Sequence, residues 1–582
     1  MTSAKCGADP NGTNLSQSRT SVPLVPPGRT ATGTVALPSQ TRLKLAPFGA
    51  DPDIEWLQRK WKLPDEAVAS VLGLLREETN GSTARVLTEK VTDWGKAVGE
   101  DHSPLVVIEH GGKRYLQSRR LYRAEQDIPG RILEMAGKEF PWADPDPAKL
   151  FPEAGNLQAE AARVAMSRQL AVITGGPGTG KTHTLARILA LLVASGIPAN
   201  RIRLAAPTGK ASDRMRKAVG DSLSGLPEEA QQHLDSLVSI ADLSSTLHRL
   251  LGYNPEKGRS RFDSRHRLPC SVLIVDECSM IDVLLWRAVL EALPDDARLV
   301  LLGDPNQLES VGQGNVFAEL ARAAGVKGSK LGPAHVHLTE ARRFKDRPDI
   351  MAFARALEQS DPDAAVELLE GTRSRTGSRG LEWLEHSAGT LSCADFPKPI
   401  LAALEKVARA DTPREALDAL GKICILTAQR EFFVGSRAMS EAIDQYFSRQ
   451  KGVRNRPVII NRNDPETGLR NGTPGVIHTT SEGKRKAWFP TGDGRIEEVA
   501  VAKLPDFSPA WAITIHRSQG SEYDDVLVIL PRAESPMATR ELLYTAITRA
   551  KKNVCVAGDL GSVRKAAATS SQRVTLISTA LR

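Results

Sequence analysis

Eight consecutive residues carry the strongest chemical signal in the chain: Gly175, Gly176, Pro177, Gly178, Thr179, Gly180, Lys181 and Thr182. Glycines let backbone N–H groups wrap phosphate oxygens, a lysine brings a cation to the outer phosphates, and a hydroxyl can hold Mg2+. An apolar run, Leu170–Thr174, precedes them, and helical spacing at Leu185, Ile188, Leu189 and Leu192 follows. Strand, glycine-rich loop and helix in that order make a P-loop, and the helix N-terminus adds a field that favours anions. The pattern assigns Gly175 through Thr182 to a nucleotide. Lys181 is then expected on the β- and γ-phosphates and Thr182 on the metal, so ATP and Mg2+ are the expected cofactors.

A second signal is Asp276-Glu277 at the end of the apolar run Val272–Val275, where an open α/β sheet presents its ligands. Asp276 is expected to hold Mg2+, directly or through its water shell, and Glu277 to polarise an attacking water. Gly303-Asp304-Pro305-Asn306-Gln307 follows another strand end, Leu299–Leu302. Gln307 is a neutral amide able to touch both the γ-phosphate and the water, and a plain loop glutamine is the competing reading. Together these residues make a nucleotidase, which leaves open what the hydrolysis drives.

Such groups need a scaffold that gathers several strand ends. From Leu157 to about 344, apolar strands at Leu170–Thr174, Ile202–Ala206, Val272–Val275 and Leu299–Leu302 alternate with helices, which predicts a parallel sheet. A second α/β region runs from about 346 to the C-terminus, with strands expected at Ile423–Leu426, Val526–Leu530 and Val554–Ala557. Between about 457 and 508 the chain is rich in glycine, β-branched residues and turns (Asn471-Gly472, Gly492-Asp493-Gly494), the pattern of a small β-barrel insertion. Residues 46–137 read as a small N-terminal domain, with helical spacing at Leu57, Trp61, Val68, Val71 and Leu72 and a helix opening at Pro64-Asp65-Glu66. Extended runs Leu105–Glu109 and Arg114–Gln117 follow, joined by Gly111-Gly112. Residues 1–45 are rich in Ser, Thr, Pro and Gly, with Asp9 the one acid. That composition fits a disordered tail or an organellar transit peptide, and the absence of an amphipathic period favours the tail.

Composition narrows the classes. The 582 residues call for several domains. Lys and Arg total 77 against 69 Asp and Glu, a net charge of +8, which permits nucleic acid without establishing it. Six cysteines (Cys6, Cys270, Cys278, Cys393, Cys424, Cys555) lack metal-type spacing and are expected to be reduced, as in a bacterial cytoplasm. The longest apolar helix candidate, Leu185–Ile197, contains Arg187 and is too short to span a bilayer, so no membrane partner is expected. The basic stretch Lys257–Arg267 either binds phosphates, with Phe262 meeting a base, or is a solvated loop. Glu482-Gly483-Lys484 has a nuclease-like Glu-x-Lys pattern but sits in an expected turn, so no nuclease site is expected in this chain.

Further strings, in order along the chain, resemble the motifs of superfamily 1 DNA helicases. Asn156-Leu157-Gln158 looks like the adenine-reading glutamine motif, Ala206 to Ala211 like motif Ia, and Ser245 to Gly252 like the next strand-side motif. Arg343-Phe344 resembles motif IV, Trp511 to Glu522 motif V, and Arg540 to Ala550 motif VI. Ser279 to Asp282, Val311 to Gly314 and Trp488-Phe489 are closest to the RecD branch of that superfamily. Cys278, His183, Glu309 and Arg342 depart from its usual wording.

The resemblance implies an α/β fold of two RecA-like P-loop motor domains, about 138–345 and 346–582, with an SH3-like barrel insertion. It places Arg343 and Arg549 opposite the P-loop as catalytic cations, Gln158 at the base, and Thr208, His248, Thr514 and His516 along DNA. It implies ATP-dependent 5′→3′ movement on single-stranded DNA, as a subunit with RecB and RecC acting at duplex DNA ends in recombinational repair. A stand-alone RecD-like helicase is the alternative. Residues 46–137 are then expected to dock on a partner subunit.

Overall fold

The strands Leu170–Gly175 and Val272–Val275 are buried at every residue. They read as continuous apolar runs because helices cover both faces of a parallel sheet. The protein is described here from a computed structural model covering residues 62–581, apart from 89–90, 100–101, 142–149, 152–155, 224–232, 255–257, 341–346, 373–379, 387–390, 432–433 and 492–493. The expected tail at 1–45, the helix positions Leu57 and Trp61, the turn residues Gly492 and Asp493, and Arg343 with Phe344 lie outside the described residues.

The first sheet has six parallel strands in the order Ser245–Thr246, Ile202–Ala206, Val272–Val275, Arg298–Gly303, Leu170–Gly175, His335–Leu338. Alternate strand residues feed two cores. Ala171, Ile173 and Ile274 pack under helix Lys181–Ala194 through Leu185, Ile188 and Leu189. Val172, Leu273 and Val275 pack on the other face with Trp286, Val289 and Phe317. The second sheet has five parallel strands in the order Leu381–Glu385, Ala550–Gly558, Tyr523–Ile529, Ile423–Thr427, Ala512–Thr514. The edge strands His335–Leu338, Leu381–Glu385 and Ala512–Thr514 lack a long apolar run, and the sequence reading passed over them.

The stretch expected as a small barrel is a five-stranded antiparallel sheet, in the order Ile496–Ala500, Arg485–Pro490, Pro474–Thr479, Asn455–Ile460, Phe507–Pro509. Gly475 is required there, because a Cβ at that position would lie 2.3 Å from the Phe489 ring. Near the N-terminus, helix Asp65–Thr79 opens after Pro64 as the sequence predicts, and it packs on a three-stranded antiparallel sheet through Ala67, Val71 and Leu74. The following helix, Arg119–Ala136, sends Leu121, Ile128, Ile132 and Met135 into the first sheet's own core.

The C-terminus also returns to that core. After helix Leu560–Ala568, the Val574 carbonyl accepts from the Thr83 N–H at 2.9 Å, and the Val574 N–H donates to Ser82 Oγ at 3.1 Å. Arg573 donates to the carbonyls of Ser310 (2.7 Å), Gly312 (2.8 Å) and Gly314 (3.0 Å) and pairs with Glu309. Ile577 and Leu581 are buried beside Trp286. Thr575 Oγ1 donates to Glu319, whose carboxyl burial pushes up from 4.5 to about 7 although the Thr575 bond opposes the rise. A carboxyl raised by folding stabilises the fold fully below its unfolded value and loses that contribution as pH rises through its folded value. Glu319→Gln stays neutral throughout. It should melt above the parent protein at pH values beyond about 7 and no higher than the parent below 4.5. Melting curves that keep a constant separation across that window would refute the assignment.

Candidate active site

The P-loop strand ends at Gly175, and Gly178 and Gly180 turn the chain at φ of 78° and 83° into helix Lys181–Ala194. A Cβ on Gly180 would sit 2.3 Å from Gln158 Nε2, so the glutamine lies directly against the loop. Gln158 is fixed by Asn156, whose side chain accepts its N–H at 2.8 Å, and its Nε2 donates to the Thr179 carbonyl at 3.1 Å. Its Oε1 is buried without a hydrogen-bond partner among the described residues. Lys181 Nζ donates to the carbonyls of Gly175 (2.5 Å) and Gly176 (3.0 Å). Thr182 stands beside it in the helix's first turn.

Asp276 follows the next strand but one. Burial and the neighbouring Glu277 push its carboxyl up to about 6, while the Glu277 N–H (2.8 Å), Lys181 and Arg214 oppose the rise. Glu277 holds φ at 54°, a left-handed conformation uncommon for a residue with a Cβ. At the adjacent strand end, Asp304 accepts from the Asn306 N–H (3.0 Å) and from Gln307 Nε2 (3.1 Å). Gln307 is thus buried and oriented by its own loop.

The second sheet reaches this loop. Leu308 packs in the second sheet's core with Leu542 and Tyr544. Its N–H donates to Thr545 Oγ1 at 2.7 Å, and its carbonyl accepts from Gln519 Nε2 at 3.0 Å. Tyr544 Oη lies 3.1 Å from Asp304 and 2.9 Å from Glu358, and it also borders Gly176. Burial raises both carboxyls, and one hydroxyl proton serves the two of them. Arg549 is buried and donates to the carbonyls of Thr545 (3.1 Å) and Ser521 (3.4 Å) on its own side of the cleft. Lys210 lies near it, pushed down to about 8 chiefly by burial and further by Arg549 and Arg214.

The residues expected along DNA sit at strand ends that turn into helices. Thr208 accepts the Ala211 N–H (3.2 Å) and Thr514 the Arg517 N–H (3.4 Å), each opening a helix. His248 is exposed, edge-on to Tyr253 at 5.4 Å. His516 is half-buried, and burial, with Arg573 nearby, disfavours its protonation. Phe262 packs at the edge of the first core with the Arg261 guanidinium 5.3 Å from its ring. Glu482 and Lys484 form an exposed ion pair at 3.0 Å, as expected of a turn.

The structure gathers Gln158, Lys181, Asp276, Glu277 and Gln307 around one loop, while Arg549 is bonded within its own sheet and Arg343 lies outside the described residues. Asp304, Lys210, Gln519, Tyr544 and Thr545 stand inside the quoted motifs, yet their roles across the cleft were missed. Glu358 has no sequence signal at all.

A P-loop sheet whose catalytic loop is bonded into a second parallel sheet is the architecture of a superfamily 1 helicase motor. Residues 158–313 match the AAA domain family and 509–557 the UvrD-like helicase C-terminal domain family. The chain is 36% identical over 484 residues to the RecBCD enzyme subunit RecD of Mycolicibacterium smegmatis, covering 81% of this chain and 83% of that protein. The Mycobacterium tuberculosis RecBCD enzyme subunit RecD is 35% identical over 83% of both chains. The chain therefore belongs to the RecD family. It is also 30% identical to the ATP-dependent RecD2 DNA helicase of Deinococcus radiodurans, over 83% of this chain and 61% of that protein.

Two substitutions test the cleft. Lys181→Gln removes the charge expected on the phosphates and no core packing, so ATP turnover should fall by about 10²–10³-fold, the range for deleting one preorganised charge-stabilising group, with an unchanged circular dichroism spectrum. Near-normal turnover would remove Lys181 from the site. Arg549→Ala should cut turnover by roughly 10³–10⁵-fold with a smaller loss of ATP affinity, if its cation acts on the transition state. Equal losses in both would make it a ground-state contact.

Proposed function

We propose that the chain is the 5′→3′ translocating subunit of a RecBCD-type complex, using ATP hydrolysis to move single-stranded DNA at duplex ends. The observation that carries this reading is Leu308. One residue beyond Gln307, it is packed and hydrogen-bonded in the far sheet, so a change at the nucleotide is felt directly by the strand-side loop at Gln519.

ATP would rest on the P-loop, with the buried Gln158 Oε1 suited to accept from the adenine amino group. Thr182 and Asp276 offer the hard oxygen ligands that Mg2+ prefers. When bound, that ion would neutralise charge on the β- and γ-phosphates. Lys181 would bind the γ-phosphate, Glu277 orient the water, Gln307 sense the γ-phosphate, and Arg343 and Arg549 enter from the far side. Thr208, His248, Thr514 and His516 would line the strand. We assign the sheets to RecA-like domains at about 138–345 and 346–582, and the insertion at about 457–508 to an SH3-like barrel. RecB and RecC are the partners this reading implies. Docking would fall to the three-stranded sheet near the N-terminus, because helix Arg119–Ala136 is already committed to the motor. Among the described residues no helix is long and apolar enough to cross a membrane, and a cytoplasmic location accompanies the assignment.

The stand-alone reading draws on the RecD2 likeness, but the chain spans 61% of that protein against 83% of each of the two RecD subunits named above. Partial duplexes supply the direct test of the motor: unwinding is expected with 5′ overhangs. Unwinding confined to 3′ overhangs would overturn the polarity and leave the nucleotide site standing.

A further inference from the structure

Helix Gly209–Leu223 begins at Thr208, which we place on the DNA strand, and its first turn abuts the far sheet. Gly520, at a φ of 71° that favours glycine, lies against Ala211 in that turn: a Cβ there would be in van der Waals contact with Ala211 at 3.4 Å. Further along the same helix, Arg214 pairs with Glu522 of the far sheet's loop, and its guanidinium lies 3.9 Å from Glu277 of the near sheet. One cation is shared between two carboxylates on opposite sides of the cleft. Glu522 directly follows Ser521, whose carbonyl accepts from Arg549. About a third of the Arg214 side chain is exposed (35%), so it has room to change partner, whereas Glu277 (17%) and Glu522 (13%) are enclosed.

We propose that Arg214 is a positioning residue that links strand binding to hydrolysis by exchanging its hold between Glu277 and Glu522. It rests on the reading of Glu277 as the water-orienting carboxylate. A carboxylate oxygen engaged by a guanidinium is not available to a water. When the strand draws the first turn of the helix and the 519–522 loop together, Arg214 goes fully to Glu522 and Glu277 is released. When they separate, Arg214 restrains Glu277 and idle hydrolysis is suppressed. The geometry on which this depends is two ion pairs on one side chain, and it gives removal of Arg214 and removal of Glu522 opposite effects.

The test is steady-state ATP turnover of the full chain, with and without saturating oligothymidylate. Arg214→Ala should raise turnover without DNA, and the DNA stimulation ratio should fall by about fivefold or more, the lower end of typical coupling between sites. Glu522→Gln should instead lower DNA-stimulated turnover, since it leaves Arg214 on Glu277. The double variant should behave as Arg214→Ala alone, and Arg214→Lys should recover most of the ratio. An unchanged ratio in Arg214→Ala, a proportional fall of both rates, or additive effects in the double variant would each overturn the proposal. Glu277→Gln separates the two levels. If it hydrolyses ATP normally, the reading of the site fails. If it is inactive while Arg214→Ala keeps the parent's ratio, only the coupling role fails.

Discussion

The backbone N–H and the backbone carbonyl of Leu308 are both bonded across the cleft, and its side chain is buried in the far sheet's core. Buried backbone donors and acceptors must find partners. Pulling the sheets apart at this point would strand an N–H and a carbonyl and expose an apolar side chain at once. The loop Asp304–Leu308 is therefore attached to one sheet by its strand and to the other by its last residue. Gln307 lies between those attachments, oriented by Asp304 at 3.1 Å. On the reading proposed above, an amide so placed would report the distance between the sheets to a nucleotide on the P-loop, and the reverse.

Electrostatics give the cleft its second constraint. Desolvation acts against charge of either sign, raising Asp276 to about 6 and lowering Lys210 to about 8. Like charges worsen both, Glu277 for the acid and the neighbouring arginines for the lysine. Phosphate oxygens entering this space would relieve the cations and aggravate the carboxylates. A divalent cation has the reverse effect at Asp276. The phosphate–metal unit of the proposed reading would therefore satisfy these groups better than either part alone.

Much of this was legible in the sequence, for a physical reason. The strands Ile202–Ala206 and Val272–Val275 were read with their observed bounds because burial on both faces demands an unbroken apolar run. The edge strand His335–Leu338 was not, since two histidines interrupt it; they bond to Thr174 at 2.8 and 2.9 Å instead. The P-loop and Asp276-Glu277 are local patterns, and a sequence displays those. Tyr544 with Asp304, or Arg214 with Glu522, are pairs formed by folding over hundreds of residues, and no spacing announces them. Three of the departures from RecD wording have partners of their own, and the fourth, Arg342, lies outside the described residues. His183 bonds Arg187, Cys278 Sγ sits 3.3 Å from the Val275 carbonyl, and Glu309 pairs with Arg573.

That last pair is one of two fastenings between the sheets. Glu309 and the carbonyls of Ser310, Gly312 and Gly314 hold Arg573, which arrives from the second sheet's end of the chain. Leu308, immediately before them, is held by the second sheet itself. Two connections therefore cross between the sheets in opposite directions and meet within the stretch 308–314. Elsewhere the cleft is bridged by single side chains such as Tyr544 and Arg214, whose bonds are exchangeable. If the sheets rotate as proposed above, these single-side-chain bonds are the ones that can exchange while the doubly fastened stretch 308–314 stays intact. The angle between the sheets would then set which carboxylate Arg214 holds, with the stretch after Gln307 as the pivot.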